Sequence, residues 1–324
     1  MNKYLTALIV IVLTSCGRPV KQIQHPISQP VFDRLSEKLN TLPPRLLTCD
    51  GGPTDSLGNT ITGREICDTG DSIAPVGLIS TIYNVPSFEQ YLRDSIGSDG
   101  RPYRSPEHKR FCENSPNQDS EVGCNFSRDH LFGHMLYAVA TKNPEFLLKI
   151  QKYMNKHSQK FCVGDIAQCG MTPAAWDVLG DTYDYLGLDK PIYSYIPDTV
   201  TVPSELITVM TNSEFQLSLV ADVIYIKLLT GKLNSNYYWI INKLVDKAPY
   251  NTYFKYLQYK SGAYTCQDAF TDNLAEELLG YINTWENQET QQSVWYWSWD
   301  EIDHANAWSF IFMGNLLLKE SKGE

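Results

Sequence analysis

The sequence predicts an all-α protein, and three observations carry that reading. Apolar residues recur at three- and four-residue spacing in about a dozen segments. Almost no stretch alternates apolar and polar residues in the two-residue period of a half-buried strand. The segments follow one another as pairs, and there is no fixed repeat of roughly 34 or 40 residues of the kind that builds helical solenoids.

Taken in order, Val31 to Leu42 forms a short helix with Val31, Leu35 and Leu39 on one face. Residues 43 to 66 are rich in Pro, Gly and Thr and read as loop. Ser72 to Tyr83 reads as a helix or a buried strand, with Pro75 suited to a first turn. Ser87-Phe88-Glu89-Gln90 has the form of a capping box and opens a helix to about Ile96. Residues 97 to 124 are expected to be one long polar loop, carrying Gly97, Gly100, Pro102, Pro106 and Pro116.

Next comes the stretch around which the chain is organised, Cys124 to Ala138. Ser127 is positioned to cap its helix, and Asp129 falls in the first turn, where the helix dipole favours a negative charge. Leu131, Met135 and Ala138 share a face, so this is a core helix, with Asp129, His130 and His134 expected near its edges or at a site.

Asn143-Pro144 restarts the chain as cap and first residue of a partner helix. Thr172-Pro173 opens another, stopped by Gly187. Ser204 to Met210 is short. Ser213 and Gln216 open a long apolar helix ending before Gly231. Two further helices flank Pro249, Asp272 caps one from Leu274 to Trp285, and Asp303 caps the last.

The beginning of the chain points to export. Lys3 precedes an apolar run, Leu5 to Leu13, too short to span a bilayer. Leu13-Thr14-Ser15-Cys16 resembles the lipobox of bacterial lipoproteins. The resemblance implies a signal peptide over residues 1–15 and acyl chains, palmitate among them, on Cys16. Residues 16–30 read as a lipidated tether, and 31–324 as a single mainly helical domain. The expected location is the cell envelope, at the outer membrane if the source is Gram-negative, since Gly17 rather than Asp follows the cysteine. The membrane partner is then reached through the lipid alone.

A formal net charge of −10 disfavours nucleic acid and anionic lipid headgroups as partners. Seven cysteines follow Cys16, and an oxidising compartment lets them pair. Proximity suggests Cys49–Cys67, Cys112–Cys124 and Cys162–Cys169, although spacing alone does not fix connectivity. Cys266 is left over, and no Cys-x-x-Cys pair for zinc occurs.

The paired helices and aromatic-rich loops resemble the six-hairpin (α/α)6 toroids of bacterial glycoside hydrolases and polysaccharide lyases. Ser127-Arg128-Asp129-His130 with Gly133 is similar to the Ser-Arg helix start of unsaturated glucuronyl hydrolases. Asp68-Thr69-Gly70-Asp71 resembles the Asp-(Ala/Thr)-Gly-Asp turn of inverting cellulases. That likeness implies Asp71, and secondarily Asp68, as the base; Asp129 is the separate candidate for partner acid. The chain is shorter than those cellulases and lacks a clear counterpart of their C-terminal acid stretch.

Glycosidic hydrolysis needs one protonated and one ionised carboxyl group, so Asp68, Asp71 and Asp129 are the candidate catalytic residues. The competing account makes Asp129 a helix-start charge and the other two turn residues. Arg128, His130, Trp297, Trp299, Asp300 and Asp303 are candidate substrate contacts, because aromatic faces stack on sugar rings and acids bind hydroxyls. For most of Trp295, Trp297 and Trp299, packing at a core edge is the favoured reading, given the area each must bury.

A lone Asp-Thr-Gly also matches the aspartic-protease triplet, but that chemistry needs two. His130 and His134 have metal-binding spacing, yet Leu131 stands where the zincin glutamate belongs, so no metal is expected. No phosphate loop, nucleophile elbow or dinucleotide fingerprint occurs, and no cofactor is expected. Two readings remain: a glycan-active hydrolase, or a non-catalytic surface lipoprotein that binds a glycan or a protein.

Overall fold

A helix that is apolar on every side must be surrounded, whereas one apolar along a single stripe lies at a surface. The computed structural model describes residues 27–42, 73–82, 86–114, 126–161, 170–211, 215–263, 270–287 and 307–323, and sorts its helices into these two kinds. The helices are α1 (Gln29–Thr41), α2 (Ile73–Ser80), α3 (Pro86–Asp94), α4 (Pro106–Asn114), α5 (Arg128–Thr141), α6 (Glu145–Lys156) and α7 (Pro173–Tyr185), followed by α8 (Asp198–Thr211), α9 (Phe215–Leu229), α10 (Tyr238–Lys247), α11 (Thr252–Ser261), α12 (Phe270–Glu286) and α13 (Ala307–Ser321). Among the described residues there is no strand, only one isolated bridge between Ile96 and Pro102.

The two kinds alternate along the chain, except that α3 and α4 both fall between α2 and α5. Every residue of α2 is buried, as are His130 to Val139 of α5 and Leu217 to Lys227 of α9. Helices α7, α11 and α13 also bury residues on several faces. The helices between them bury one stripe each: Val31 and Leu35 in α1, Phe146, Ile150 and Tyr153 in α6, Ile240, Ile241 and Leu244 in α10.

Helix α9 packs against α5, α7, α8, α10 and α11. Helices α2 and α5 approach closest. A Cβ on Gly77 would fall 2.2 Å from the Gly133 carbonyl oxygen, and one on Gly133 would fall 2.3 Å from that of Ile73. The C-terminal ends of α13 and α2 meet, and so do those of α9 and α7. The Lys319 ammonium at the end of α13 donates to the carbonyls of Thr81 (2.9 Å) and Ile82 (3.4 Å), just beyond α2. Lys232, just beyond α9, pairs with Asp184 in the last turn of α7 at 3.2 Å. Between α7 and α9, the buried Lys227 ammonium lies 2.7 Å from both Asp177 and Asp181.

The first described helix is held by the last two. The Ser28 N–H donates to Asp272 (2.6 Å), Arg34 pairs with Glu276, Lys38 pairs with Glu286, and Ile27 N–H donates to Ser321 Oγ (3.3 Å).

Several sequence expectations need correction. The loop expected over 97–124 contains α4, because the Ser105 hydroxyl accepts the His108 N–H (3.0 Å) and Pro106 sits at a first helical position. Helix α8 begins at Asp198, not Ser204, and carries Pro203 inside it. Pro203 and Thr199 are exposed, so the carbonyl that the proline leaves without an N–H meets water. Asp272 lies within α12 rather than at its cap. The Thr172 cap is as expected, its hydroxyl accepting the Ala175 N–H at 3.2 Å.

No described helix is long and apolar enough to cross a membrane. Cys112 is fully buried in α4 and is disulfide-bonded. Cys49, Cys67, Cys124, Cys162 and Cys169 lie outside the described residues, as does Cys16 with the signal segment.

Candidate functional site

The N-terminal ends of α5, α7, α9 and α11 gather an unusual set of polar groups. Ser127 precedes α5, but its hydroxyl caps no backbone N–H. It donates to the Asp129 carboxylate instead and meets His130 Nδ1 at 2.7 Å. Donation to Asp129 leaves the serine oxygen to accept from Nδ1–H. His130 Nδ1 also lies 3.2 Å from Asp129 Oδ1. Serine and aspartate therefore share one ring nitrogen. A nucleophilic triad needs them on opposite nitrogens, so this cluster orients Asp129 and does not activate Ser127.

Asp129 is one-fifth exposed (20%) and is held ionised. Burial alone would raise its pKa, but His130, the Ser127 hydrogen bond and Arg104 together hold it well below the usual carboxylate range. His130 itself has no exposed surface, so its visible task is to hold Ser127 and Asp129.

His134 departs from the edge position expected of it. It is wholly buried, beside the rings of Phe126 and Phe146. Neither ring nitrogen has a hydrogen-bond partner among the described residues, and burial, reinforced by His130, pushes its pKa down to about 3. It is a neutral core group. Among the described residues no group of three or more potential ligands could hold a metal ion.

Two acids that the sequence reading missed lie nearby. Asp222 sits in the buried part of α9 and accepts from the Tyr253 hydroxyl at 3.3 Å. Burial raises its pKa well above the ordinary value, and the charge on Asp129 adds to this, while Tyr253 opposes it. Glu205, on the buried stripe of α8, lines a cavity of ≈ 150 Å³ with Arg128, Thr172, Thr208 and Gln216. Burial raises the Glu205 pKa to about 7 against the pull of Arg128. At the start of α11 the Asn251 side chain accepts the N–H groups of Tyr253 (2.9 Å) and Phe254 (3.1 Å). Asn251 Nδ2 and Thr252 Oγ1 are buried there without a partner among the described residues.

Of the residues singled out from sequence, the structure thus brings Arg128, Asp129 and His130 to one helix end. Asp68, Asp71, Trp297, Trp299, Asp300 and Asp303 lie outside the described residues. One signal for Asp222 was present: a single acid inside the apolar run Leu217 to Ile226. A charge there demands a reason. Compared with known proteins, the chain matches no family model, no curated protein and no solved structure.

Proposed function

We propose that the chain is an exported, lipid-anchored hydrolase of glycans, built as an (α/α)6 toroid. The alternation of the helices supports that architecture. Buried α2, α5, α7, α9, α11 and α13 would form the inner ring, and the helices that follow or close on them would form the outer one. The C-terminal ends of α13 and α2, and of α9 and α7, meet, and in such a toroid all six N-terminal ends would collect on the opposite face. Asp68 and Asp71 immediately precede α2 in the sequence, and Trp297, Trp299, Asp300 and Asp303 precede α13. In a toroid of this kind they would enter the same face as Asp129. The lipobox-like Leu13 to Cys16 supports the anchor on an envelope membrane. The Cys112 disulfide supports an oxidising compartment, with Cys124 the proposed partner.

One observation carries the hydrolase reading. At a single helix end Asp129 is held ionised, while Glu205, on the adjoining cavity, keeps its proton up to about pH 7. Environments that push two carboxyl groups apart in this way assign an acid and a base. The proton-donating role expected of Asp129 therefore passes to Glu205. Asp129 takes the part of base or charge stabiliser, alongside Asp71. Arg128, in the Glu205 cavity, would bind the sugar next to the cleaved bond.

The test is reducing-end release from a panel of neutral and uronic-acid oligosaccharides. Asp129→Asn should abolish turnover and spare binding, and Glu205→Gln should remove the limb of the pH–rate profile near 7. Unchanged turnover in both variants would end this reading. The second reading, a glycan- or protein-binding lipoprotein without chemistry, is favoured by the small volume of the Glu205 cavity. At ≈ 150 Å³ it is below the roughly 300 Å³ at which ordinary ligand clefts begin. On that reading no oligosaccharide is cleaved at all.

A further inference from the structure

A second site lies on the outside of the molecule and shares no residue with the one described above. Between α6 and the connection from α7 to α8 runs a groove of ≈ 630 Å³, within the size range of ligand clefts. One wall is α6. Gln151, Asn155 and Gln159 stand in one row, and Lys152 and Lys156 in the next. From Leu148 to Lys156 the helical part of the wall runs about 12 Å, and Gln159 extends it beyond the helix end.

The amides are pre-set. Gln151 Nε2 donates to Asn155 Oδ1 (2.8 Å), and Gln159 Nε2 donates to the same oxygen (3.1 Å). Gln159 is held in this row with φ +64°, a left-handed conformation that costs a non-glycine residue energy. The other wall presents Tyr193, 53% exposed and backed by Trp176 at a ring separation of 5.6 Å. Two buried polar atoms of the lining residues, Tyr183 OH and Gln151 Oε1, have no partner among the described residues. Such atoms are costly unless something satisfies them.

Charge narrows the ligand. Lys149, Lys190 and Lys232 are each committed to an acid, at 2.8, 2.7 and 3.2 Å. Lys152 and Lys156 enter no ion pair among the described residues, and only Asp189 lines the groove as an acid. A row of groups that donate and accept, a flat exposed ring and two uncommitted cations match a chain of hydroxyl-bearing rings carrying carboxylates. We infer that this groove is a docking site for an acidic oligosaccharide, stacking one sugar on Tyr193 and placing its carboxylates against Lys152 and Lys156. An extended acidic peptide is disfavoured, because it offers no flat ring face to Tyr193 and no hydroxyls to the amide row.

Calorimetric titration of the whole chain with tetragalacturonate, cellotetraose and tetraglutamate tests this. Tetragalacturonate should bind most tightly, and added salt should weaken it. Tyr193→Ala, an exposed change, should weaken it about tenfold, the scale of a lost stacking contact. The pair Lys152→Gln and Lys156→Gln should remove the preference over cellotetraose and leave the melting temperature unchanged. Asp129→Asn should leave this binding intact, so loss of turnover and loss of docking are separate results. No heat with tetragalacturonate at millimolar concentration, equal binding of tetraglutamate, or full affinity in Tyr193→Ala would each overturn the proposal.

Discussion

The molecule buries two sets of carboxyl groups and treats them in opposite ways. Between α7 and α9, Asp177 and Asp181 share Lys227, whose ammonium is 2.7 Å from each and 5.4 Å from the ring centre of Tyr237. Burial would lower the lysine pKa, but Tyr237, Asp181 and Asp177 raise it, so the cation persists. At the start of α5, Asp129 has His130 and Ser127 to hold its charge. Asp222, deep in α9, has the Tyr253 hydroxyl as its partner among the described residues, and burial raises its pKa well above the ordinary value. The first set shares a cation at contact distance, as a structural element does, although burial still raises the Asp177 pKa against the pull of Lys227. The second is left with a difference in protonation that the fold could have removed with one lysine. That difference is what acid–base chemistry uses.

The sharpest way to break the contrast is Lys227→Met. It leaves two buried carboxylates facing each other and should cost about 3–5 kcal/mol, read from urea unfolding. If the loss is under about 1 kcal/mol, water reaches this cluster and the contrast fails.

Next in size is Glu205→Gln. The folded pKa of Glu205 lies above its unfolded value of 4.5, so unfolding releases a proton between pH 4.5 and about 7. Its contribution is fully present below pH 4.5 and is lost as pH rises through about 7. The glutamine variant should lack this decline and gain stability relative to the parent across that window, on the order of 3 kcal/mol by pH 7. Parallel stability–pH curves for the two proteins would refute the shift.

Asp129 carries the opposite sign. Its depressed pKa gives stability that is present above the unfolded value of 3.8 and is lost as pH falls below it. Asp129→Asn should therefore remove part of the acid unfolding transition and cost about 1–2 kcal/mol at neutral pH, where a charge-assisted bond is lost. The smallest effect belongs to Asp222→Asn. An amide can accept from Tyr253 as the protonated acid does, so thermal unfolding should shift by less than about 1 kcal/mol. A large loss would mean that Asp222 is ionised and paired.

Helix positions were largely legible because caps and apolar spacing are local. Thr172-Pro173 and Asn143-Pro144 announce α7 and α6 directly. Helix α4 was hidden because its cap, Ser105, stands among the prolines and glycines that mark a loop. Of the site, Arg128 and Asp129 could be read from the start of α5. Asp222 showed only as a lone acid in an apolar run, and Glu205 not at all, because each owes its shifted pKa to burial by other helices. Ser127 was misjudged for a related reason. A capping hydroxyl and one that serves a neighbouring carboxylate look identical until the His130 ring is in place.

The tie between α1 and the pair α12 and α13 sets an order of assembly. During synthesis α1 is made before every helix it needs, and its salt bridges to Glu276 and Glu286 cannot form until some 240 further residues have emerged. Until then Val31 and Leu35 have no surface to cover them. Contacts of such long sequence separation slow folding. A ribosome-bound chain would thus expose the apolar stripe of α1 until α12 and α13 are made. A holding chaperone would find its target in that stripe.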